Sequence, residues 1–400
     1  MIEQYSIARN QHPRGQIKAS KQYGGDGGIF RDDPSISVST AEEVISYEYL
    51  WEAMELCKRG VLWKDSVAAF WLDAPRRINK LSYQLRNHTY RSNRTYSFYV
   101  YSPKKREIVS ITFRDRVYQR SLNDNVVYPL LTKSLIQDNT ACQVGKGTDY
   151  ARKRLEIFLH RMYNKHRLNF YILQIDISGY YPNMNHQIVD DLICEKLPPW
   201  AVSRVRDILN VQYPGDVGYK PGSQLVQIIG ISVLDKLDHY IKEKLHIKCY
   251  IRYMDDLILM HNDESYLNFC KEMIAAYLET LYFTFNPRKT KLFKINDRHL
   301  GFLGFNYHLT DTGKVYKLVK PKNIKRAKRK YRRMIKLCSY GVITKDKVDE
   351  CFYGYMRNHI CKGSSKKLVR NLLDWYEEQW QIFSSQALYH RASDDNSITW

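Results

Sequence analysis

The sequence predicts an α+β fold in which a core of strands and helices is followed by an all-helical unit. Two observations lead there. Runs at 170–175, 249–251 and 257–260 are short, apolar and rich in β-branched or aromatic residues, as strands buried in a sheet are. Toward the C-terminal end, Ile324, Ala327, Tyr331, Met334, Ile335 and Cys338 recur at helical spacing instead.

Residues 1–40 are rich in Gly, Ser and charge, and Gly24-Gly25-Asp26-Gly27-Gly28 predicts a flexible or partner-ordered stretch. Helices are expected over 46–85, then a strand pair at 96–101 and 107–113. A helix after Gly222 is expected to bury Leu225, Ile228, Ile229, Val233, Leu234 and Leu237. Pro321 followed by Asn323 marks the start of a helix, and two more at 345–359 and 365–379 complete the helical unit. Its first helix carries Lys325, Arg326, Lys328, Arg329, Arg332 and Arg333 opposite the apolar stripe, and no acidic residue occurs from Lys314 to Lys336. So many like charges repel unless something anionic lies alongside. A Ser- and Asp-containing tail follows from Ser384.

The chemistry concentrates at Tyr253-Met254-Asp255-Asp256, between the apolar runs ending at Ile251 and starting at Leu257. Adjacent carboxylates thus fall at the tight turn of a hairpin with buried arms. Read alone, this is also what a solvated turn looks like, since Asp is a common turn residue. Two ionised carboxylates about 4 Å apart repel by roughly 4 kcal/mol at an effective dielectric near 20, so a fold that keeps them together normally supplies a divalent cation. Oxygen-only ligands point to Mg²⁺. A third carboxylate, Asp176, ends the apolar run 170–175, where an isolated Asp would serve as a turn former or helix cap. If that strand lies beside the hairpin, Asp176, Asp255 and Asp256 converge and can hold two Mg²⁺ ions for in-line phosphoryl transfer, with Mn²⁺ as a substitute.

With these motifs in order, the chain resembles the reverse transcriptases of the bacterial group II intron-like lineage over about 46–380. The Asp176 segment looks like the family's first catalytic motif, Tyr253 to Asp256 like its second, and Gly301-Phe302-Leu303-Gly304-Phe305 like its primer-grip hairpin. The resemblance implies a right-hand polymerase: an N-terminal extension (1–40), fingers with the start of the palm (41–165), a palm of antiparallel sheet plus helices (166–310), an α-helical thumb (311–380) and a tail (381–400). It implies catalytic roles for Asp176, Asp255, Asp256 and Lys289, the last in the place of a pyrophosphate-protonating lysine, and it adds Ile177 to the metal-site positions. Lys104, Arg106 and Arg114 look like the fingers residues that hold template and incoming triphosphate. By composition alone, the first two belong to a charged loop. Tyr181 looks like the ring under the nucleotide sugar that excludes a 2′-hydroxyl, so dNTPs are the expected substrates. Gly222 and Gln227 match the diversity-generating retroelement pattern, but Val226 stands for its serine and Pro221 for its aliphatic residue, which counts against membership of that group; Gly222 lets the backbone approach the nascent base pair closely ahead of the buried helix that follows, so loose base selection is expected.

Gly145-Lys146-Gly147-Thr148 lacks the long spacing of a nucleotide-binding P-loop. The net charge of +21 over 400 residues suits a polyanionic partner, here an RNA template with a DNA primer and product. No run approaches the ~20 apolar residues that span a bilayer, so no membrane partner is expected. Eight cysteines without a Cys-x-x-Cys pair favour neither zinc nor disulfides and imply a cytoplasmic setting. Tyr181 opposes an RNA-making polymerase, and the complete aspartate set opposes a catalytically idle RNA-binding scaffold. No nuclease, protease or integrase segment is recognised after the thumb. The expected biology is antiphage defence with a dedicated noncoding RNA. The alternatives are template-independent or protein-primed synthesis, or a diversity-generating system, with an accessory protein or a homo-oligomer as further partners.

Overall fold

The computed structural model describes residues 38–93, 95–101, 105–220, 222–363 and 365–395. The expectations for 1–37, Lys104, Pro221 and the last residues of the tail lie outside them.

Four helices open the described chain: α1 (Ala41–Val44), α2 (Tyr47–Lys58), α3 (Asp65–Trp71) and α4 (Ala74–Arg86). The strand pair follows as β1 (Tyr96–Val100) and β2 (Arg106–Ser110), antiparallel with Phe98 opposite Ile108. The second strand stops short of Phe113. Thr112 caps the next helix, its hydroxyl accepting from the Asp115 N–H at 3.3 Å, so Phe113 begins α5 (Phe113–Leu122). A π-helical turn joins α5 to α6 (Tyr128–Thr132), and α7 (Thr148–His166) leads into the sheet.

That sheet holds the site. It consists of β3 (Tyr171–Asp176), β4 (Cys249–Tyr253), β5 (Asp256–His261) and β6 (Lys291–Lys294), antiparallel throughout in the order β4-β5-β3-β6. Between β3 and β4 run α8 (His186–Lys196), α9 (Pro199–Gln212), α10 (Gln224–Ser232) and α11 (Asp235–His239), and α12 (Glu264–Thr280) follows β5. Side chains alternate across a strand. Leu173, Ile175, Leu257 and Leu259 therefore join one core with α2, α4, α5 and α8 to α12, while Ile172, Ile258 and Met260 join a second. Burial on both faces explains why the runs are continuously apolar. The expected buried positions after Gly222 all lie in the first core.

The second core also takes in α7, a three-stranded sheet of β7 (Leu300–Phe302), β8 (Phe305–Leu309) and β9 (Val315–Val319), and three helices, α13 (Pro321–Ser339), α14 (Lys345–Tyr355) and α15 (Lys366–Asp395). The last helix continues well past 379. No Gly or Pro interrupts 366–395, and Trp380 and Phe383 extend its apolar stripe onto the helical unit's core. Among the described residues, no helix is long and apolar enough to cross a membrane.

Candidate active site

The turn between β4 and β5 is two residues long, Met254 and Asp255, with Tyr253 paired to Asp256. So tight a connection needs a positive φ, and Met254 supplies it at +57° without being glycine. The residue holding it there comes from beneath. Arg252 is fully buried, and its guanidinium donates to both Asp238 oxygens at 2.7 and 2.6 Å, to the Ile231 carbonyl at 2.8 Å and to the Met254 carbonyl at 3.1 Å. Tyr250 Oη completes the arrangement by donating to Asp238 at 2.6 Å.

Asp176, at the end of β3, stands directly opposite Asp256 in register. The Ile177 N–H donates to the Asp255 carbonyl at 3.2 Å, and the Asn286 N–H donates to the Asp176 carbonyl at 2.7 Å. The second bond places the 286–290 turn, where the Lys289 and Thr290 N–H groups both donate to the Asn286 carbonyl. Lys289 Nζ then reaches Asp176 Oδ1 at 2.5 Å. The four expected catalytic side chains are thus together. Burial pushes the Asp256 carboxyl up to about 7, with the charges of Asp255 and Asp176 adding to it and those of Lys289 and Lys320 opposing. Asp255 is raised as well, by burial first and then by Asp176. The Asp176 hydrogen bond raises the Lys289 ammonium.

Carboxylates that resist sharing one edge as anions are a donor set awaiting a counter-charge. Among the described residues, no three or more His, Cys, Asp or Glu side chains form a ready metal-binding group, and Lys289 engages Asp176 in the meantime. An incomplete all-oxygen set still fits Mg²⁺, which keeps coordination positions for waters and substrate phosphates. Ile177 has only its backbone carbonyl to contribute.

The remaining expected residues are more dispersed. Arg106 is exposed at the first position of β2, and its charge draws Asp255 down. Arg114 is committed to the scaffold: it pairs with buried Asp115 at 3.0 Å, donates to the Arg91 carbonyl at 2.6 Å and lies 5.0 Å over the Tyr90 ring. Tyr181 packs edge-on to Tyr180, against Gly230 of α10, where an added Cβ would lie 2.8 Å from Tyr181 Oη. Gly222 admits a close backbone approach within the protein itself. At φ +147° its missing Cβ would sit 2.1 Å from the Val109 carbonyl, so the glycine admits β2. Gln227 is exposed on α10, whereas Val226, which replaces the serine, is buried. Lys146 folds inward to the Ile136 and Asn139 carbonyls at 3.4 and 3.1 Å.

Sequence reasoning missed Gln174, Arg252 and Lys320. Gln174, the polar residue in a buried strand, donates to the Gly301 carbonyl at 3.0 Å and ties β3 to β7. Its polarity was the available signal. On α13, Lys325, Arg329 and Arg333 form an exposed i, i+4, i+8 stripe, while Lys328 and Arg332 lean on Trp375 at 4.9 and 5.7 Å. A cleft of about 340 Å³ between α13 and the β7–β8 turn is lined by Arg152, Arg326, Lys330, His359 and apolar or neutral residues, without a carboxylate.

The fold and site together define a right-hand polymerase: a palm sheet with aspartates on adjacent strand ends, flanked by the β7–β8 hairpin and a basic helical thumb. The family model described as reverse transcriptase (RNA-dependent DNA polymerase) matches residues 101–307, just over half of the chain. The chain belongs to that family. No curated protein matches it. Similar solved structures include apo telomerase from Candida tropicalis truncated from its C-terminal domain, at TM-score 0.43 and 12% identity over 56% of this chain and 55% of that one. Telomerase from Candida albicans in complex with a fragment of telomeric RNA gives TM-score 0.45 and 11% identity over 72% and 54%. The chain spans about half the length of these structures, and overlap this loose carries no weight on mechanism.

Proposed function

We propose that this protein is an RNA-directed DNA polymerase that adds dNTPs to a terminal hydroxyl, with residues 41–165 as fingers, 166–310 as palm and 311–380 as thumb. The observation that carries it is the in-register pairing of Asp176 with Asp256, with Asp255 at the turn between their strands. Asp176, Asp255, Asp256 and the Ile177 carbonyl would hold two Mg²⁺ ions. When bound, these supply an activated attacking hydroxyl and neutralise the leaving pyrophosphate. Arg252 and Asp238 keep the Asp255 turn in place. Lys289, held near Asp176 by the 286–290 turn, is positioned to give a proton to the departing pyrophosphate. Tyr181, fixed against Gly230, presents its ring to the sugar and rejects a 2′-hydroxyl.

Extension of a DNA primer on an RNA template with dNTPs and Mg²⁺ tests this. A chelator-sensitive DNA product is expected; incorporation of rNTPs alone, or no incorporation on any template, would overturn it. The ordered motifs further support a place in the bacterial group II intron-like lineage. The departure from the diversity-generating pattern at Val226 favours a defence role with a dedicated noncoding RNA. Sequencing the nucleic acid that copurifies with the protein tests that role, since a diversified target gene would point the other way.

A further inference from the structure

Two histidines face each other at the open end of the β7–β8 hairpin. Its two-residue turn pairs Phe302 with Phe305, Gly301 with Asn306 and Leu300 with Tyr307. One position further from the turn, that register sets His299 opposite His308. Leu300, Phe302, Phe305 and Tyr307 are buried in the second core, so alternation turns both histidines to the other face of the sheet. The pair flanking a two-residue turn is hydrogen-bonded and the pairs alternate from there, which makes 299 and 308 a non-hydrogen-bonded pair, the kind whose side chains approach most closely. Their ring centroids stand 3.4 Å apart with the planes at 40°.

Neither ring is otherwise engaged. Among the described residues, no hydrogen bond or carboxylate partner holds either imidazole. His299 is exposed and His308 half-buried, so an ion can reach the pair from solvent. Burial, and then the charge of His299, hold His308 below the ordinary histidine range, which leaves its ring a free lone pair at neutral pH. A proton on one ring is resisted by the other, whereas one ion shared between two lone pairs serves both. Imidazole nitrogens suit Zn²⁺, Ni²⁺ and Cu²⁺, while Mg²⁺ takes oxygen. Two nitrogens on one tetrahedral ion lie ~3.4 Å apart at Zn–N bonds of ~2.0–2.1 Å. Rings already at that separation need only splay to aim at a common point. We propose that His299 and His308 form a binding site for a divalent transition metal of the zinc class, with water in the remaining positions, and that the ion clips β7 to β8. Strand β7 has only three residues, and its Gly301 carbonyl accepts from the Gln174 amide, so the clip would steady the join between this hairpin and β3. The site shares no residue with the aspartate set and does not depend on the polymerase assignment.

The experiment titrates Zn²⁺ into the full chain, stripped with chelator and kept in excess Mg²⁺ so that the carboxylates are occupied. Calorimetry is expected to find a site that His299→Phe and His308→Phe each weaken at least ~100-fold, since losing a ligand costs more than the ~10–100-fold lost with a ligand's own hydrogen-bond partner. Phenylalanine keeps a ring in the stack without a nitrogen, so both variants should melt with the unmodified protein when metal is absent. Zn²⁺ should then raise the melting temperature of the unmodified protein alone. Electron paramagnetic resonance of the Cu²⁺-loaded, unmodified protein needs no variant and should show splitting from two nitrogens. A Zn²⁺ affinity that survives in both Phe variants, or an unmodified chain that binds no Zn²⁺ or shows no two-nitrogen splitting, would overturn the proposal. Loss in one variant alone would also overturn it, because the ion would then sit on a single histidine.

Discussion

Removing Asp238 would strand a guanidinium beneath the catalytic turn. Arg252 and Asp238 are both fully buried, so Asp238→Ala leaves an unpaired charge where no water reaches. Breaking such a pair costs about 3–5 kcal/mol. At the ~2 °C per kcal/mol of larger domains, Tm should fall by roughly 6–10 °C. A companion variant separates stability from geometry. Arg252→Met, Asp238→Leu and Tyr250→Phe together remove the whole polar group, a replacement that is often neutral for stability. The Ile231 carbonyl keeps the Asn139 amide at 3.2 Å, but the Met254 carbonyl loses its donor. A charged hydrogen bond is worth about 1.5–3 kcal/mol, so the triple variant should melt near the unmodified protein yet extend primers roughly 10- to 100-fold more slowly. Thermal melts and single-turnover extension measure both. An Asp238→Ala protein that melts with the unmodified one, or a triple variant with full activity, would refute the idea that Arg252 props the turn.

Three further outcomes follow from the site and its surroundings. Tyr181→Val should relax discrimination against rNTPs, and Tyr181→Phe should keep it while gaining about 1 kcal/mol, because the buried hydroxyl has no partner among the described residues; ratios of kcat/KM for dNTP and rNTP decide, and an unchanged ratio in the Val variant would count against the gate. Gly222→Ala should destabilise by about 2 kcal/mol or more, since a methyl cannot share space with the Val109 carbonyl; an unaltered denaturant midpoint would show that β2 does not need that glycine. Converting Lys325, Arg329 and Arg333 to Gln should lower the salt slope of duplex binding by about 2–3, at ~0.9 per phosphate, whereas an unaltered slope would free that stripe from any role in the thumb's grip.

Much of this architecture was legible because it is periodic. The apolar runs at 170–175 and 249–260 announced strands buried on both faces, and their terminal aspartates had no packing reason to be there. The stripe through Tyr331 and Ile335 marked the first thumb helix. What pattern could not reveal was which charged residues turn inward. Arg252 reads as a polar interruption of β4, and only a distant Asp238 on α11 makes its burial tolerable. Arg114 looks like a ligand-facing cation until Asp115 and the Arg91 carbonyl are seen to occupy it. Gly222 signalled a close backbone approach, and the group that approaches it in the structure is the Val109 carbonyl of a strand far away in sequence. Lys320 carries no local signal, because its neighbours Gly301 and Asp256 come from two other elements.

Anomalous scattering from crystals grown with Mn²⁺, nucleotide and primer–template would test the central claim most directly. Metal peaks are expected about 2.1 Å from oxygens of Asp176 and Asp255, with Lys289 released from Asp176. Crystals of the same complex in which those carboxylates bind no ion, and Lys289 stays on Asp176, would contradict it.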